Sequence, residues 1–268
     1  VCYTAIDAAE ARRPGLEAWR ASRTKRGSRD GMMKRACMMN VFAAAALGLA
    51  LAGCASRPRG ADDGYRPIFN GRDLAGWTGA THLFYVEDGE LVFREGPKNF
   101  GNLFYEKELA DFSARFQFKL VANGNNGFAV RAGRECLGGG ALAGGSRVLG
   151  DAAYNGMEIQ ILDDTGSLKQ KNKAWQYCGS IYGVVAAQKG HLRPVGEWND
   201  YEVTAVGPNV TVVLNGVTIL ATSVRDLPVD GRTPDGKPHP GLHNASGYIG
   251  FLGHTMPVRF RNIQVKEL

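Results

Sequence analysis

Glu158 and Gln160 are the two side chains whose types and spacing most suggest chemistry. They stand one pleat apart in a stretch of alternating apolar and polar residues, the period-2 pattern of a half-buried strand. The apolar residues of this stretch are Met157, Ile159 and Ile161. A carboxylate and an amide on a rigid strand suit the recognition of hydroxyl groups and proton transfer. The polar outer face of a β-sandwich would show the same pattern, so both interpretations stay open at this point.

Two other polar stretches suggest less chemistry. The stretch Glu135–Tyr154 is rich in Gly and Ala, but it lacks the Gly-Lys-Ser/Thr ending of a phosphate-binding loop. In the loop Asp226–Ala245, His239 and His243 are four residues apart, and the neighbouring prolines exclude the helix that would align them as metal ligands. We therefore interpret both as loop histidines.

The elements that must position Glu158 are short strands separated by Gly, Asn and Asp turns. Phe112–Leu120 alternates clearly between apolar and polar residues, and Asn215-Gly216 between two apolar runs is a strong β-hairpin signal. The apolar phase of the last strand slips near Asn262, which predicts a β-bulge. No segment after Tyr65 has a sustained helical period. The sequence therefore predicts an all-β domain built as a sandwich, jelly roll or barrel.

The first fifth of the chain has the pattern of an export signal. Charged residues follow Met33, a short apolar run follows them, and Leu51-Ala52-Gly53-Cys54 resembles the bacterial lipobox, in which the Cys is lipidated. We expect residues 1–32 to be an unstructured leader or an over-extended gene start, 33–53 a signal peptide, 54–64 a flexible tether and 65–268 the folded domain. The protein would then be exported and lipid-anchored in the cell envelope, in the periplasm or at the outer membrane.

Charge and cysteine content fit this division. Residues 1–53 contain nine Lys and Arg and four Asp and Glu, so five of the six net positive charges of the chain lie there. The remainder is nearly neutral, which gives no case for a nucleic-acid partner. In the predicted domain Cys136 and Cys178 could pair in an oxidising compartment, but the sequence does not decide whether they do. The oligomeric state is not predicted.

Several short motifs, taken in order over residues 65–268, resemble the 3-keto-disaccharide hydrolase domain family. No single one is decisive, and their ordered set carries the resemblance. They are Phe69–Trp77, Asn125–Arg131, Gly156–Asp163, Gly179–Gly183, Glu197–Asn199, Leu214–Gly216 and Gly247–Ile263.

The resemblance implies a concanavalin-like or lectin-like jelly roll of two antiparallel sheets, one of them concave and open to a sugar. The implied substrates are glycosides already oxidised at the 3-position, because a ketone there makes the C2 hydrogen acidic. A base removes this hydrogen, the glycosidic oxygen leaves C1, and water then adds. This route requires a base, a stabiliser for the enolate oxygen and an acid for the leaving group.

The resemblance also suggests roles for individual residues. Glu158 would be the base, Arg131 would stabilise the enolate and His254 would supply the acid. Two of these residues have a structural alternative: Arg131 could form an ion pair with Glu158 or Asp163, and His254 could hold the backbone of a turn.

Substrate contacts are expected from Gln160 and Asp163, and from Tyr182, which could instead act as the acid. Asp163 could also bind a metal, so the sequence leaves a divalent cation open as a cofactor. Trp175 could stack on a sugar ring. Trp198, the other tryptophan considered for stacking, is expected to be structural.

The chain departs from the family pattern at three places. Leu252 stands where the family often has Gln, Asn126 replaces a Ser, and the Gly-rich loop 137–146 looks inserted. The loop falls between the Arg131 and Glu158 strands and could alter specificity. The alternatives to an enzyme are a carbohydrate-binding module and a structural surface lipoprotein, since a shared fold does not fix function.

Overall fold

The computed structural model describes residues 63–96, 100–138, 151–166 and 171–268. All of them belong to one compact unit, Arg57–Leu268. The predicted signal peptide, the lipidation site Cys54 and most of the Gly-rich loop 137–146 lie outside the described residues.

Two antiparallel sheets form the domain, and they confirm the predicted all-β jelly-roll sandwich with a lectin-like fold. The strands of the larger sheet are, in chain order, β1 (Arg66–Pro67), β3 (Phe84–Glu87), β4 (Glu90–Phe93), β6 (Phe112–Leu120), β9 (Trp198–Val206), β10 (Asn209–Leu214), β11 (Val217–Ser223) and β13 (Val258–Glu267). The strands of the smaller sheet are β2 (Trp77–Gly79), β5 (Phe100–Tyr105), β7 (Asn125–Ala132), β8 (Met157–Leu162) and β12 (Tyr248–His254). The smaller sheet has the order β2-β5-β12-β7-β8.

Three short 3₁₀ segments complete the regular structure of the described residues: Thr81–Leu83, Arg134–Gly138 and Ala174–Gln176. Within the ranges that the structure describes, no helix has the length and apolar character needed to cross a membrane.

An aromatic cluster joins the two sheets. Phe116 on β6 contacts four other rings at centroid distances of 5.0 to 6.1 Å, and these rings belong to Phe128, Tyr201, Phe251 and Phe260. All five residues are buried. The alternation in Phe112–Leu120 places Phe116 on the core face, where burial of each such ring contributes about 2 kcal/mol or more. Strand β8 contributes Met157, Ile159 and Ile161 to the same core.

The smaller sheet is also apolar on its other face. A second cluster there contains Phe104, Ala129, Tyr248 and Leu252. Because residues two apart on a strand share a face, Glu158, opposite Ala129 in the register, belongs to this second face. The candidate site is therefore a polar group on a largely apolar sheet surface.

Two predicted turn features are confirmed. Asn215 and Gly216 connect β10 and β11 with φ angles of 52° and 84°, as a type I′ hairpin requires. Asn262 has φ 54° at a register shift between Arg261 and Gln264, which is the expected bulge.

The two cysteines of the domain are both free and buried. Cys178 packs in the core between the sheets, whereas Cys136 packs in the cluster on the outer face of the smaller sheet. The pairing that the sequence left open is therefore absent from the described residues.

Candidate active site

Glu158 lies on a part of the smaller sheet made of very small residues. Its register neighbours are Ala129 on β7 and, one strand further, Gly250 on β12. Its carboxylate leans over Gly127, where an added Cβ atom would approach Glu158 Oε1 to 2.2 Å. Small neighbours thus leave room for the carboxyl group.

The protein environment changes the acidity of this carboxyl group. Burial, with a smaller contribution from the Asp151 carboxylate, raises the pKa of Glu158 to about 8. A carboxylate with such a pKa is a much stronger base than an ordinary one, and a minor fraction of the group is ionised at neutral pH. Strongly shifted pKa values of this kind are frequent in functional sites.

Tyr182 lies beside Glu158, along the edge of β8 that faces away from β7. Its backbone N–H donates to the Glu158 carbonyl oxygen at 2.9 Å, and Ile159 and Ile181 form an antiparallel bridge next to this pair. Their side chains therefore share one face. Burial, together with the nearby Glu158 and Tyr154, raises the pKa of the Tyr182 phenol, so the phenol stays a hydrogen-bond donor at neutral pH.

Trp175 adds an aromatic surface to this pair. It lies in the 3₁₀ segment Ala174–Gln176 and packs edge-on against the Tyr182 ring, with a centroid distance of 5.2 Å. It is partly exposed, so part of its indole remains accessible. The structure thus brings together three of the predicted residues: Glu158, Tyr182 and Trp175.

A lysine and a second tyrosine lie close enough to Tyr182 to affect its pKa, and the sequence did not predict either. Lys237 Nζ donates a hydrogen bond of 2.9 Å to Tyr154 Oη. Tyr154 is buried, and the charges of Tyr154, Lys237 and Glu158 all affect the pKa of Tyr182. The two partners are 83 residues apart in the chain, and no local pattern pairs them.

His239 supports the turn that carries Lys237. Its side chain is buried, with Nε2 3.2 Å from Asp235 Oδ1 and its ring 4.8 Å from that of Tyr154. Gly241, two residues later, lies so close to the Asn155 backbone that an added Cβ would be 2.0 Å from the Asn155 carbonyl carbon. His239 is thus a loop histidine, as predicted, and it holds the loop against the segment that leads into β8.

Arg131 makes its hydrogen bonds with groups other than Glu158. It has φ 52° at a bulge in β7, and its buried guanidinium donates to the carbonyl oxygens of Ala110, Gly207 and Asn244 and to the Asp111 carboxylate. Its ion-pair partner is Asp111, where the structural alternative had named Glu158 or Asp163. The enolate-stabilising role stays a prediction that these contacts do not support.

His254 is exposed at the end of β12. It lies four residues beyond Gly250, which is in register with Glu158, and this corresponds to about 13 Å along the strand. The strand positions of His254 and Glu158 are therefore separated, and the role of His254 as the acid remains a prediction.

Gln160 and Asp163 are buried and make local contacts. Gln160 Oε1 accepts from the Ile161 backbone at 3.1 Å. Asp163 accepts from the backbone and hydroxyl of Thr165 and from the Asn123 backbone. Burial opposes ionisation of Asp163, but these hydrogen bonds outweigh it and lower its pKa. The Asp163 contacts are those of a turn-stabilising residue, and the sugar contacts predicted for both residues remain untested.

Metal ligation was left open by the sequence. Within the part of the chain that the structure describes, no three His, Cys, Asp or Glu side chains are grouped as ligands. Trp198 lies on the outer face of the larger sheet between Lys119 and Arg261, at 4.4 and 4.0 Å from its ring. This position agrees with the structural role expected for it.

Comparison with known proteins identifies the family. Residues 64–266 match the 3-keto-alpha-glucoside-1,2-lyase-like domain, so the chain belongs to this family. A 3-keto-disaccharide hydrolase from Bacteroides thetaiotaomicron is 26% identical over 235 residues, which cover 77% of this chain and 79% of that protein. The family resemblance inferred from the motifs is confirmed.

Solved structures agree on the fold. A candidate glycosyl hydrolase from Parabacteroides distasonis superimposes with a TM-score of 0.61 at 24% identity, covering 76% of this chain and 99% of that one. A second such protein from the same organism gives a TM-score of 0.59 at 23% identity, covering 76% and 94%. These similarities establish the architecture.

Proposed function

We propose that this protein cleaves glycosides whose sugar carries a ketone at C3, with Glu158 as the base. The observation that carries the proposal is the carboxyl group at the family's Glu position, with a pKa of about 8, placed beside Tyr182 and Trp175 on the outer face of the smaller sheet. The B. thetaiotaomicron relative supports the substrate class by its name.

The first step is the removal of the C2 proton by the Glu158 carboxylate. The C–H electrons form the C2–C3 double bond of an enolate, whose negative charge lies on the former ketone oxygen. The phenol of Tyr182, which lies beside Glu158, would donate to this oxygen as the charge develops. Trp175 would bind an apolar face of the sugar ring.

The second step restores the C3 ketone and expels the glycosidic oxygen from C1. The product is an unsaturated 3-keto sugar and a free alcohol or sugar. Addition of water to C1 and C2 then gives the net hydrolysis product, whether in this site or later. No oxocarbenium ion forms, since the negative charge on the enolate drives the departure.

The proposal is tested with a 3-keto-glucoside that has a chromogenic leaving group, and the unoxidised glucoside serves as the substrate control. We expect release from the keto substrate only, and a loss of about 100-fold or more in Glu158→Gln. Glu135→Gln changes an exposed carboxylate just after β7 and should keep wild-type activity.

Two outcomes would count against the proposal. Full activity of Glu158→Gln would assign the base to another residue. Saturable binding of the sugar without turnover would indicate a carbohydrate-binding protein and not an enzyme, which is the alternative that the sequence had left open.

Export and lipidation at Cys54 remain proposals from the sequence alone. They predict that cells expressing the protein incorporate labelled fatty acid into it, and that Cys54→Ala abolishes the label. A labelled Cys54→Ala variant would refute the assignment.

A further inference from the structure

In the proposed mechanism the phenol of Tyr182 donates to the enolate oxygen, so the leaving group still needs an acid of its own. His254, the residue predicted for that role, lies about 13 Å along the sheet from the row that contains Glu158. A poor leaving group such as an alcohol or a sugar departs slowly as an alkoxide, so the second step needs a proton donor.

We propose that Tyr154, paired with Lys237, is this acid. The inference rests on the proposed function. Tyr154 is a second phenol whose charge acts on Tyr182, and the 2.9 Å hydrogen bond from Lys237 Nζ to its oxygen places a cation where a phenolate would form. An ammonium group in this position stabilises the ionised form of the phenol and so favours proton donation.

A hydrogen-bond network holds the turn that carries Lys237 and connects it to the segment that carries Tyr182. Asp235 accepts hydrogen bonds from Thr233 Oγ1 and from the Lys237 backbone, and it faces the His239 ring. The Asp235 backbone N–H donates to the carbonyl oxygen of Gly183 at 3.2 Å.

Gly183 directly follows Tyr182, so the turn that carries Lys237 is bound to the segment that carries Tyr182. The lack of a side chain at Gly183 allows this approach, because an added Cβ would lie 2.6 Å from Asp235 Oδ2. Asp235 and His239 are positioning residues in this arrangement.

The proton balance of the step is complete. Glu158 takes the C2 proton, the C1–O bond breaks, and the departing oxygen takes the phenolic proton of Tyr154. The resulting phenolate is neutralised by the ammonium of Lys237. Proton exchange with solvent then restores Glu158 to its carboxylate and Tyr154 to its phenol, so no further reactant is needed.

The test compares a 4-nitrophenyl and a methyl 3-keto-glucoside. Nitrophenolate leaves without a proton, so we expect Tyr154→Phe and Lys237→Met to cleave that substrate within about threefold of the wild-type rate. Release of methanol should fall about 100-fold or more. Glu158→Gln should lose both reactions equally, because it blocks the earlier step.

A second measurement separates the two steps directly. In D₂O, Tyr154→Phe should exchange the C2 hydrogen of the methyl substrate for deuterium faster than it releases methanol, since the base remains but departure is blocked. Lys189→Met is the matched control, because Lys189 lies 3.4 Å above the Tyr177 ring and its loss removes a lysine–tyrosine contact away from Tyr154.

The outcomes distinguish the two proposals. Equal losses for both leaving groups in Tyr154→Phe, or no loss for either, would overturn the assignment of the acid while leaving the proposed function intact. If the wild-type protein cleaves neither keto substrate, the proposed function fails and this inference fails with it.

Discussion

The burial that would make Glu158 a strong base should also lower the stability of the folded protein. Its carboxyl group lies among apolar residues of the smaller sheet, and burial is the main reason that its pKa rises to about 8. The same desolvation that makes it a strong base makes its ionised form unfavourable in the folded state.

The replacement Glu158→Gln should therefore stabilise the fold in a pH-dependent way. The folded state holds the proton up to about pH 8, whereas the ordinary pKa is 4.5, so ionisation opposes folding as pH rises through this window. We expect the variant's advantage in unfolding free energy to be small at pH 4, to grow up to pH 8 and then to level off. Urea unfolding at several pH values measures it, and a difference independent of pH would contradict the pKa.

Arg131 should behave as a structural residue. Its guanidinium is 3% exposed and bonds to three carbonyl oxygens and Asp111. Arg131→Met leaves these groups without their donor, and we expect a loss of about 3 kcal/mol in unfolding free energy. The activity of the variant that remains folded should stay close to wild type. A large loss of turnover at unchanged stability would restore the catalytic role first predicted for it.

At the scale of elements, strand β7 provides the surface on which the Glu158 carboxylate rests. In Gly127→Ala the new methyl group would meet the flexible end of Glu158, which can move away. We expect stability within about 1 kcal/mol of wild type but a fall of at least tenfold in turnover, because small displacements of a catalytic group are costly.

A matched control for this glycine exists just beyond the same strand. At Gly133 an added Cβ would meet the flexible end of Glu135 at 2.1 Å, a similar conflict that involves a carboxylate outside the site. Gly133→Ala should keep full turnover. If both variants lose activity alike, the effect arises from the strand backbone and not from displacement of Glu158.

The 3₁₀ segment that carries Trp175 should contribute binding. Trp175→Ala removes an aromatic surface worth about 1 kcal/mol, so KM for the keto sugar should rise about fivefold with little change in kcat. Trp198→Ala, on the outer face of the larger sheet, should leave KM unchanged. Equal effects of the two variants would show that Trp175 does not contact the sugar.

The sequence predicted elements well where the signal was local. Alternation identified strand β8 and the facing of Glu158, and Asn215-Gly216 identified a hairpin whose turn requires two positive φ angles. The pairing of Tyr154 with Lys237 was harder to predict from the sequence. Lys237 lies in the loop Asp226–Ala245, where the sequence predicted only loop histidines. Tertiary folding alone brings Lys237 to Tyr154. The motif position of Arg131 does not reveal that a bulge turns its side chain toward Asp111, so this ion pair could not be predicted.

At the scale of the whole molecule, the two buried thiols lie on opposite faces of the smaller sheet. Burial raises the pKa of both Cys136 and Cys178 to about 12, so both should react slowly while the protein is folded. Alkylation after denaturation, followed by peptide mass measurement, should find both modified. A reductant should leave the melting temperature unchanged, and a mass consistent with a Cys136–Cys178 bridge would contradict the structure.

The close approach of Gly241 to Asn155 has a consequence for how this protein can diverge over time. The loop that carries Lys237 and the segment that carries Tyr154 meet backbone to backbone, without a side chain between them. Insertions or enlargements on either side would separate the lysine from the tyrosine, so the two segments are constrained to change together. Lineages that explore new substrates should therefore vary elsewhere around the sheet and keep this junction.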